Sequence, residues 1–492
     1  MNKHYSESGK SQPADHQWLV LFAALGGLLF ASACVGADES EEVQRVDEAT
    51  LAATCPSVSG TLVDRSLVVT SPEVLERFSF SRVVGRIRTT AKVASTDTNV
   101  RIFQRWMHTF DSTSAPGDCN DPGIDPNDYG LVCPRTPETK LKNVNPFPAT
   151  ATVRFEPVGL FNRFDLAPTN GAHCGEYRIV YAMNSTDPNV FGRAFIIFEG
   201  ILPNPTPSVG VDACLPVAQF WQSLSADGSV TSRASKIEKF YIAGGAVTGF
   251  APVVRAANYG LANGAAAHRA GQVRTNFFVD FVEWHLREFK LRRTCTNPAN
   301  VATCKLSFAH VTTKTNPADE LFAGTHANSS SFVTSFENQV TTTDLAASNL
   351  NAIKMTVQNQ FNEFESISQA FNVVYADFAN ASVGASIANK LAQIGSTLTV
   401  NDILHRATTQ TCAGCHQVSV GQPLGGGLTW PGTLGFVHID EGSNVSPALT
   451  EQFLPHRRTV LEGFINARCG ASTPVTSPAG DTLGGSAVGA AN

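Results

Sequence analysis

The chain carries little charge, and its N-terminal apolar run is too short to span a membrane. Charged residues make up 16% of the 492 residues, the formal net charge is -6, and no run of lysine or arginine occurs. Nucleic acid is therefore not an expected partner, because its phosphates are bound by clustered basic side chains. The run from Trp18 to Phe30 falls short of the roughly 20 residues that a membrane-spanning helix needs. Hydrophobic residues nevertheless reach 42%, enough for two or three packed domains.

Several catalytic signatures are absent as well. The sequence contains no GxSxG nucleophile elbow, no HExxH zinc motif, no GxxxxGK[ST] phosphate loop and no GxGxxG after a predicted strand. Serine hydrolases, zinc proteases and the common nucleotide-binding folds are therefore not indicated.

Four carboxylates in apolar surroundings are the remaining candidates for acid and base catalysis. Arginines lie close to them in the sequence, and buried arginines and carboxylates have to pair with one another. A structural ion-pair network is therefore favoured over a catalytic cleft. The carboxylates are Asp165, Glu176, Glu199 and Glu288, and the arginines are Arg163, Arg178, Arg274 and Arg287.

The N-terminus is typical of a secretory signal. Two lysines precede the apolar run, and the small residues Ala31-Ser32-Ala33 then lead to Cys34. The segment resembles a bacterial lipoprotein signal, in which the cysteine after the small residues is lipidated and becomes the mature N-terminus. Ala31 stands where that family usually has leucine, so cleavage without lipidation stays an alternative. The expected location is the cell envelope, with the protein lipid-anchored to a membrane through Cys34, or else periplasmic or extracellular.

The cysteine count agrees with export. Apart from Cys34 and the pair Cys412 and Cys415, eight cysteines remain, and an even number in an exported protein indicates up to four disulfides. Sequence alone does not fix their pairing. Proximity favours Cys119 with Cys133, Cys174 with Cys214 and Cys295 with Cys304, which leaves Cys55 for Cys469.

The segment Thr411-Cys412-Ala413-Gly414-Cys415-His416 combines residue types and spacing that point to one chemistry. A CxxCH run is the attachment site of c-type haem, in which two thiols add to the vinyl groups and the next residue presents an imidazole to the iron. From 11 cysteines and 12 histidines, roughly 0.006 accidental matches are expected in the chain. A plain disulfide and a redox pair are the alternatives. The βαβ pattern typical of a redox CxxC does not precede Cys412.

Around this motif, residues 399–470 resemble a small c-type cytochrome domain. Thr399 is a helix cap with Asp402 three positions on, and the helix leads directly into CxxCH. A loop rich in glycine and proline follows, and then a helical stretch that ends at Cys469. The resemblance implies an all-α haem domain in which this closing helix packs on the first helix.

The resemblance also implies which residues hold the haem. Cys412 and Cys415 would form the thioethers, and His416 would be the proximal iron ligand. The family's methionine ligand is missing, since the last methionine in the chain is Met355. His438 is the preferred second ligand, because its apolar neighbours would hold an imidazole in a dry pocket. His456, His405 and an open sixth position are the alternatives.

The expected fold class is α+β, with a mixed, mostly antiparallel N-terminal sheet region and helices, followed by the all-α cytochrome c-like domain. Strands are indicated by short apolar or alternating runs at residues 67–69, 152–155, 177–183, 194–198 and 240–242. Apolar residues recurring every three or four positions from Leu350 to Phe378 predict a long helix or two consecutive ones. The expected segments are a signal peptide (1–33), a tether (34–60), a disulfide-stapled α+β domain (61–311), a polar connection (312–343), a helical segment (344–398), the haem domain (399–470) and a disordered tail (471–492).

The sequence thus predicts an exported, lipid-anchored electron-transfer protein with one covalent haem, a carrier rather than a catalyst. Its redox partner is not indicated. A structural or binding lipoprotein of the cell surface, in which Cys412 and Cys415 form a disulfide and no haem is bound, is the alternative from another class. An enzyme that uses the haem for chemistry in the N-terminal region is a third hypothesis.

Overall fold

The computed structural model describes residues 60–111, 133–324, 326–369 and 372–469. The predicted signal peptide, the lipidation site Cys34, the tether before Gly60 and the C-terminal tail lie outside these ranges. All four ranges belong to one structural unit. Within them, no helix has both the length and the apolar character needed to cross a membrane.

One sheet of nine strands organises the fold. Its strands are β1 (Val68–Val69), β2 (Val153–Arg163), β3 (His173–Ser185), β4 (Gly192–Pro203), β5 (Ala262–Asn263), β6 (Gln272–Val279), β7 (His285–Cys295), β8 (Cys304–Val311) and β9 (Ser366–Ile367). The order is β1-β2-β3-β4-β6-β7-β5, with β8 and β9 also paired to β7. Neighbouring strands are antiparallel, except that β5 runs parallel to β7. A separate hairpin joins β10 (Pro423–Gly425) to β11 (Leu428–Thr429).

Helices flank the sheet and form much of the chain after it. They are α1 (Val63–Ser66), α2 (Pro72–Leu75), α3 (Phe80–Ala91), α4 (Asn99–Met107), α5 (Thr136–Thr139), α6 (Leu215–Ala226), α7 (Val230–Glu238), α8 (Ala318–Ala323), α9 (Ser329–Glu337), α10 (Tyr375–Phe378), α11 (Ala381–Gln393), α12 (Val400–Thr408) and α13 (Leu454–Arg468). Three π-helical turns lie at Lys239–Ala243, Gly414–Val418 and Ala448–Phe453. Short 3₁₀ turns make up several of the connections.

The two faces of the sheet have different covers, because successive side chains on a strand point to opposite faces. On one face, aromatic rings of the strands pack against the N-terminal helices. Phe80 of α3 contacts the rings of Phe155, Tyr181 and Phe198 at centroid distances of 5.3, 5.2 and 6.3 Å. These rings belong to the apolar core of the sheet region.

Residues 409–469, which follow α12 and are called the C-terminal segment below, contribute the cover of the opposite face. Val437, Ile439 and Leu449 are buried and belong to the same apolar core as the strands. Gly159 of β2 permits this contact, because a Cβ there would lie 2.6 Å from the Cδ1 of Ile439. The segment is therefore part of the sheet's own core rather than a domain with a core of its own.

The predicted fold class is wrong in this respect. The C-terminal region is not an all-α cytochrome c-like domain, and its closing helix does not pack on the first helix. In α12, Ile403 and Leu404 lie in a cluster with α8 to α11. In α13, Phe464 contacts the ring of Phe164 at 4.8 Å, in the core of the sheet region. The two helices join different apolar clusters, so the described residues form a mixed α/β structure around one mostly antiparallel sheet.

The periodic apolar pattern between residues 350 and 378 is not a long helix. Its described residues form two 3₁₀ turns, Leu350–Ala352 and Asn359–Phe361, strand β9 and the short helix α10. Most of its apolar side chains are still buried. The apolar residues recur every three or four positions because an irregular segment buries them against other parts of the fold, not because they share one face of a helix. The run at residues 240–242, predicted as a strand, lies in a π-helical turn, whereas the other four predicted runs lie in or overlap β1 to β4.

Two of the predicted disulfides are present among the described residues. Cys174 bonds to Cys214, and Cys295 bonds to Cys304. Cys133 and Cys469 are also disulfide-bonded. The partners predicted for them, Cys119 and Cys55, lie outside the described residues.

Candidate functional site

A cavity lies between the sheet and the C-terminal segment, and the CxxCH residues line it. About 1400 Å³ of space is free of protein atoms, its open mouth included. Phe161, Val180 and Ile197 contribute an apolar wall from β2, β3 and β4, and Ile439 and Leu449 contribute another from the C-terminal segment.

Helix α12 precedes the CxxCH motif and leads it into this cavity. Thr399 caps α12 as the sequence predicted: its Oγ1 accepts a hydrogen bond from the backbone N–H of Asp402 at 3.1 Å, and the Asp402 carboxylate accepts one from the Thr399 N–H at 2.7 Å. The chain then turns sharply, with the Cys412 N–H donating to the carbonyl of Lys314 at 2.9 Å. Gly414 makes the turn possible, because a Cβ there would lie 1.8 Å from the carbonyl oxygen of Thr408.

Two imidazoles meet in the cavity. The rings of His416 and His438 have centroids 5.0 Å apart and planes inclined by 44°. His416 donates from Nδ1 to the carbonyl of Phe436 at 3.0 Å, and the Nδ1 of His438 lies 3.0 Å from the Oγ of Ser446. Each ring thus bonds to the protein through Nδ1, and in His416 this bond leaves Nε2 as the nitrogen with a free lone pair for a metal.

Both histidines are held neutral. Burial lowers the pKa of His416 to about 4, outweighing the hydrogen bond to Phe436, and burial together with the charge of His416 lowers the pKa of His438 well below its usual value. A neutral imidazole is the form that binds a metal, because its ring nitrogen keeps a lone pair. The Nε2 of His438 lies 3.6 Å from the Sγ of Cys415, which places the second histidine directly beside the thiols.

The two cysteines of the motif are free thiols, unlike the six disulfide-bonded cysteines described above. Burial raises the pKa of Cys412 to about 12 and that of Cys415 to about 11. A thiol pair that exchanges disulfides needs the opposite shift, since the thiolate is the nucleophile. The site therefore lacks the electrostatics of a redox CxxC.

A row of buried charges crosses the sheet at one end of the cavity. Arg178 of β3 lies between Glu176 at 2.5 Å and Glu199 at 3.2 Å, and Arg274 of β6 lies between Glu199 at 3.1 Å and Glu288 at 3.0 Å. The predicted ion-pair network is confirmed, and the carboxylates serve it rather than an acid and base cleft. Burial favours the protonated form of Glu199, but Arg178 and Arg274 outweigh it and lower its pKa.

The remaining members of the predicted network lie apart from this row or at its edge. Arg163 pairs with Asp165 at 2.9 Å, beside the cavity. Arg287 pairs with Glu365 at 3.0 Å, and its guanidinium lies 4.6 Å from the ring of Phe110 on the other face of the sheet. Arg287 therefore takes no part in the cavity.

The other two candidate histidines differ in whether they line the cavity. His456 lines the cavity, as His416 and His438 do. His405 lies outside it, with its Nδ1 3.2 Å from the carbonyl of Pro423 and 3.0 Å from the amide nitrogen of Gln422. His405 is thus excluded as a ligand partner of His416 on geometric grounds.

Some lining residues carried no sequence signal. Arg457 was visible only as a neighbour of His456, and Trp430 only as part of a loop, yet both line the cavity. Trp430 donates from Nε1 to the carbonyl of Cys415 at 3.3 Å, which holds the motif's backbone. Their proximity depends on chain segments that are far apart in sequence, and no local pattern reports it.

The residues present fit a haem better than a bare metal ion. Among the described residues, no group of three or more His, Cys, Asp or Glu side chains could hold a metal ion. Haem iron needs only one or two protein ligands, because the porphyrin supplies the rest. Three lining residues also have a buried polar atom without a hydrogen-bond partner, namely Arg178 Nη2, Asn276 Oδ1 and Gln410 Oε1. Unpaired polar atoms are costly, so polar groups of a bound molecule would be stabilised there.

Comparison with protein-family models, with curated proteins and with solved structures finds no match to this chain. The site's chemistry therefore has to be inferred from its own residues.

Proposed function

We propose that the chain binds one covalent c-type haem in the cavity between its sheet and its C-terminal segment, and that it transfers electrons. One observation carries the proposal: Cys412, Cys415, His416 and His438 line a single cavity, with both imidazoles held through Nδ1. Two thiols and a neighbouring imidazole are what thioether attachment and proximal ligation require.

Each of these residues has a defined role in the proposal. Cys412 and Cys415 would hold the group covalently, and His416 and His438 would be the residues that ligate its iron. The bound haem supplies a one-electron redox centre. The residues of the chain fix its position, keep the Nε2 of His416 unprotonated through the bond from its Nδ1 to Phe436, and exclude water with the apolar walls from Phe161 and Leu449.

Ligation by two imidazoles favours a low reduction potential. Methionine is the ligand that raises the potential of c-type haems, and the last methionine of the chain, Met355, does not line the cavity. The buried carboxylates Glu199 and Glu288 stabilise positive charge and act in the same direction, while Arg178 and Arg274 oppose them. The chain is suited to donate electrons to a partner of higher potential.

We place this function in the cell envelope, with the lipid on Cys34 as the membrane anchor. The disulfides Cys174–Cys214 and Cys295–Cys304 support export, since such bonds persist in oxidising compartments. Covalent haem attachment in bacteria takes place after export, which agrees with the signal-like N-terminus.

Visible absorption of the purified protein tests the proposal. The full chain is coexpressed with a haem-attachment system, and the reduced minus oxidised spectrum is recorded after denaturation and solvent extraction. The wild type should retain a haem spectrum, the Cys412→Ser/Cys415→Ser variant should lose it on extraction, and His416→Ala should show altered or absent Soret absorption. His405→Ala is the matched control and should resemble the wild type. A colourless wild-type protein would leave only the lipoprotein with a structural CxxC.

A further inference from the structure

Arg457 is a partly buried arginine without a hydrogen bond among the described residues. Its side chain is only 11% exposed, it lines the cavity, and its Nε lies 3.8 Å from the nearest carboxylate oxygen, that of Asp165. No hydrogen bond from its guanidinium is found among the described residues. Arginine carries five N–H donors in a rigid fork, so this guanidinium can still bind an anion.

Its neighbours do not supply the missing partner. Asp165 is already engaged by Arg163, which reaches it with Nε at 3.0 Å and Nη2 at 2.9 Å. Burial and the nearby charge of Arg163 lower the pKa of Arg457 to about 9, against the attraction of Asp165. The first turn of α13 is also an unfavourable place for a cation, because the helix N-terminus is itself positive.

Arg178 also has an N–H group without an anionic partner. Its Nε and Nη1 bond to Glu176 and Glu199, but its Nη2 is buried without a partner. Two guanidinium groups thus border the cavity with donors that the protein does not use. The same cavity is lined by the thiols and imidazoles.

We infer that Arg457, assisted by Arg178, is a binding site for a carboxylate of the molecule that occupies the cavity. The inference rests on the proposed function and deepens it, since a haem carries two propionate carboxylates on the edge opposite its vinyl groups. Charge-assisted, bidentate pairing with carboxylate is the interaction that an unengaged guanidinium forms best. Arg457 then sets the orientation of the molecule, while the cysteines set its attachment.

The test uses the full chain purified without haem and two iron-free probes, protoporphyrin IX and its dimethyl ester. Both have the same flat apolar ring, but only the first has carboxylates. Fluorescence titration should give the wild type a preference of about 10- to 100-fold for the diacid, the range expected for a hydrogen bond to a charged group. Arg457→Gln should reduce this preference to near unity, and Arg457→Lys should keep part of it.

The neighbouring Arg458 provides the matched control. Its side chain is 46% exposed and bonds to Glu462 at 3.2 Å, so Arg458→Gln should leave the diacid preference intact. Equal binding of both probes by the wild type, binding of neither, or a preference that survives in Arg457→Gln would overturn the inference. A chain that carries covalent haem but shows one of these results would overturn the carboxylate site alone, and leave the haem assignment standing.

Discussion

The Nδ1 of His416 lies 3.0 Å from the carbonyl oxygen of Phe436 and donates a hydrogen bond to it. Since a carbonyl only accepts, Nδ1 carries the proton and Nε2 keeps its lone pair. The same oxygen accepts a second bond from the amide of Asn276 at 3.1 Å, and the Phe436 ring stacks on Trp284 with centroids 5.6 Å apart. Phe436 has φ of 68°, a conformation that is costly for a phenylalanine and that these contacts hold in place. The sheet thereby orients the imidazole of the C-terminal motif.

Replacing His438 should change the reduction potential of the haem protein. His438→Met exchanges an imidazole for a thioether, and the midpoint potential should rise by a sizeable part of the roughly 0.8 V range that axial ligands control. Redox titration followed by visible absorption gives the value. His405→Met places the same side chain outside the cavity and should leave the potential within error of the wild type. An unchanged potential in His438→Met would remove His438 as the second ligand.

Gly414→Ala should destabilise the protein. The new methyl group would lie 1.8 Å from the carbonyl oxygen of Thr408, so the backbone has to shift. We expect a loss of about 1–3 kcal/mol in the free energy of unfolding, measured by urea denaturation. Gly463→Ala is the matched control with the opposite sign. The added methyl group would extend into open space beside α13. The free energy of unfolding should rise by up to about 1 kcal/mol, because alanine has a higher helix propensity than glycine.

Arg406→Ala should be more damaging. Arg406 is 1% exposed, and its guanidinium donates to the carbonyls of Leu424, Leu345 and Ala347 at 2.7 to 2.9 Å. Removing it leaves buried carbonyls unsatisfied and should cost about 3–5 kcal/mol. Arg101→Ala, at an exposed residue with one bond to a carbonyl, should cost less than about 1 kcal/mol in the same denaturation series. Equal losses in the two variants would contradict this role of Arg406.

Glu363 should make stability fall as the pH rises. Burial, and then the charges of Glu365, Glu320 and Asp319, raise its pKa from 4.5 to about 8. The folded state therefore holds a proton that the unfolded state releases, so its stabilising contribution is complete below about pH 4.5 and is lost as the pH rises through 8.

Glu363→Gln removes this titration. Relative to the wild type, the variant should gain about 1–3 kcal/mol of stability at pH 8.5 and little at pH 4, with partial exposure limiting the gain. Thermal or urea unfolding at both pH values measures it. Glu73→Gln, at an exposed residue, should show no such pH-dependent difference. A gain at pH 4 that equals the gain at pH 8.5 would contradict the raised pKa.

Local features of the fold could be predicted from the sequence, because their signals lie within a few residues. The Thr399 capping box, four of the five strand runs and the disulfides Cys174–Cys214 and Cys295–Cys304 are examples. The ion pairs of Arg178 and Arg274 followed from one rule, that buried charges must pair. The apolar flanks of His438 singled it out, and it lines the cavity, while its role as an iron ligand stays a prediction.

The architecture of the site could not be predicted, because it depends on contacts between distant segments. The CxxCH motif suggested a small independent domain, yet one wall of its cavity comes from Phe161 and Ile197 of the sheet. The pattern from Leu350 onward had helical spacing, but tertiary burial produced it without a long helix. Arg457 has no distinguishing neighbours in sequence, and its lack of a partner appears only once Arg163 is seen to hold Asp165.

The most direct test of the central claim is the intact mass of the wild-type chain, denatured and fully reduced, after expression with a haem-attachment system. We predict the mass of the mature polypeptide plus one haem, with the addition located by fragmentation to the peptide that contains Cys412 and Cys415. The mass of the polypeptide alone, with both of these thiols open to alkylation, would contradict the account.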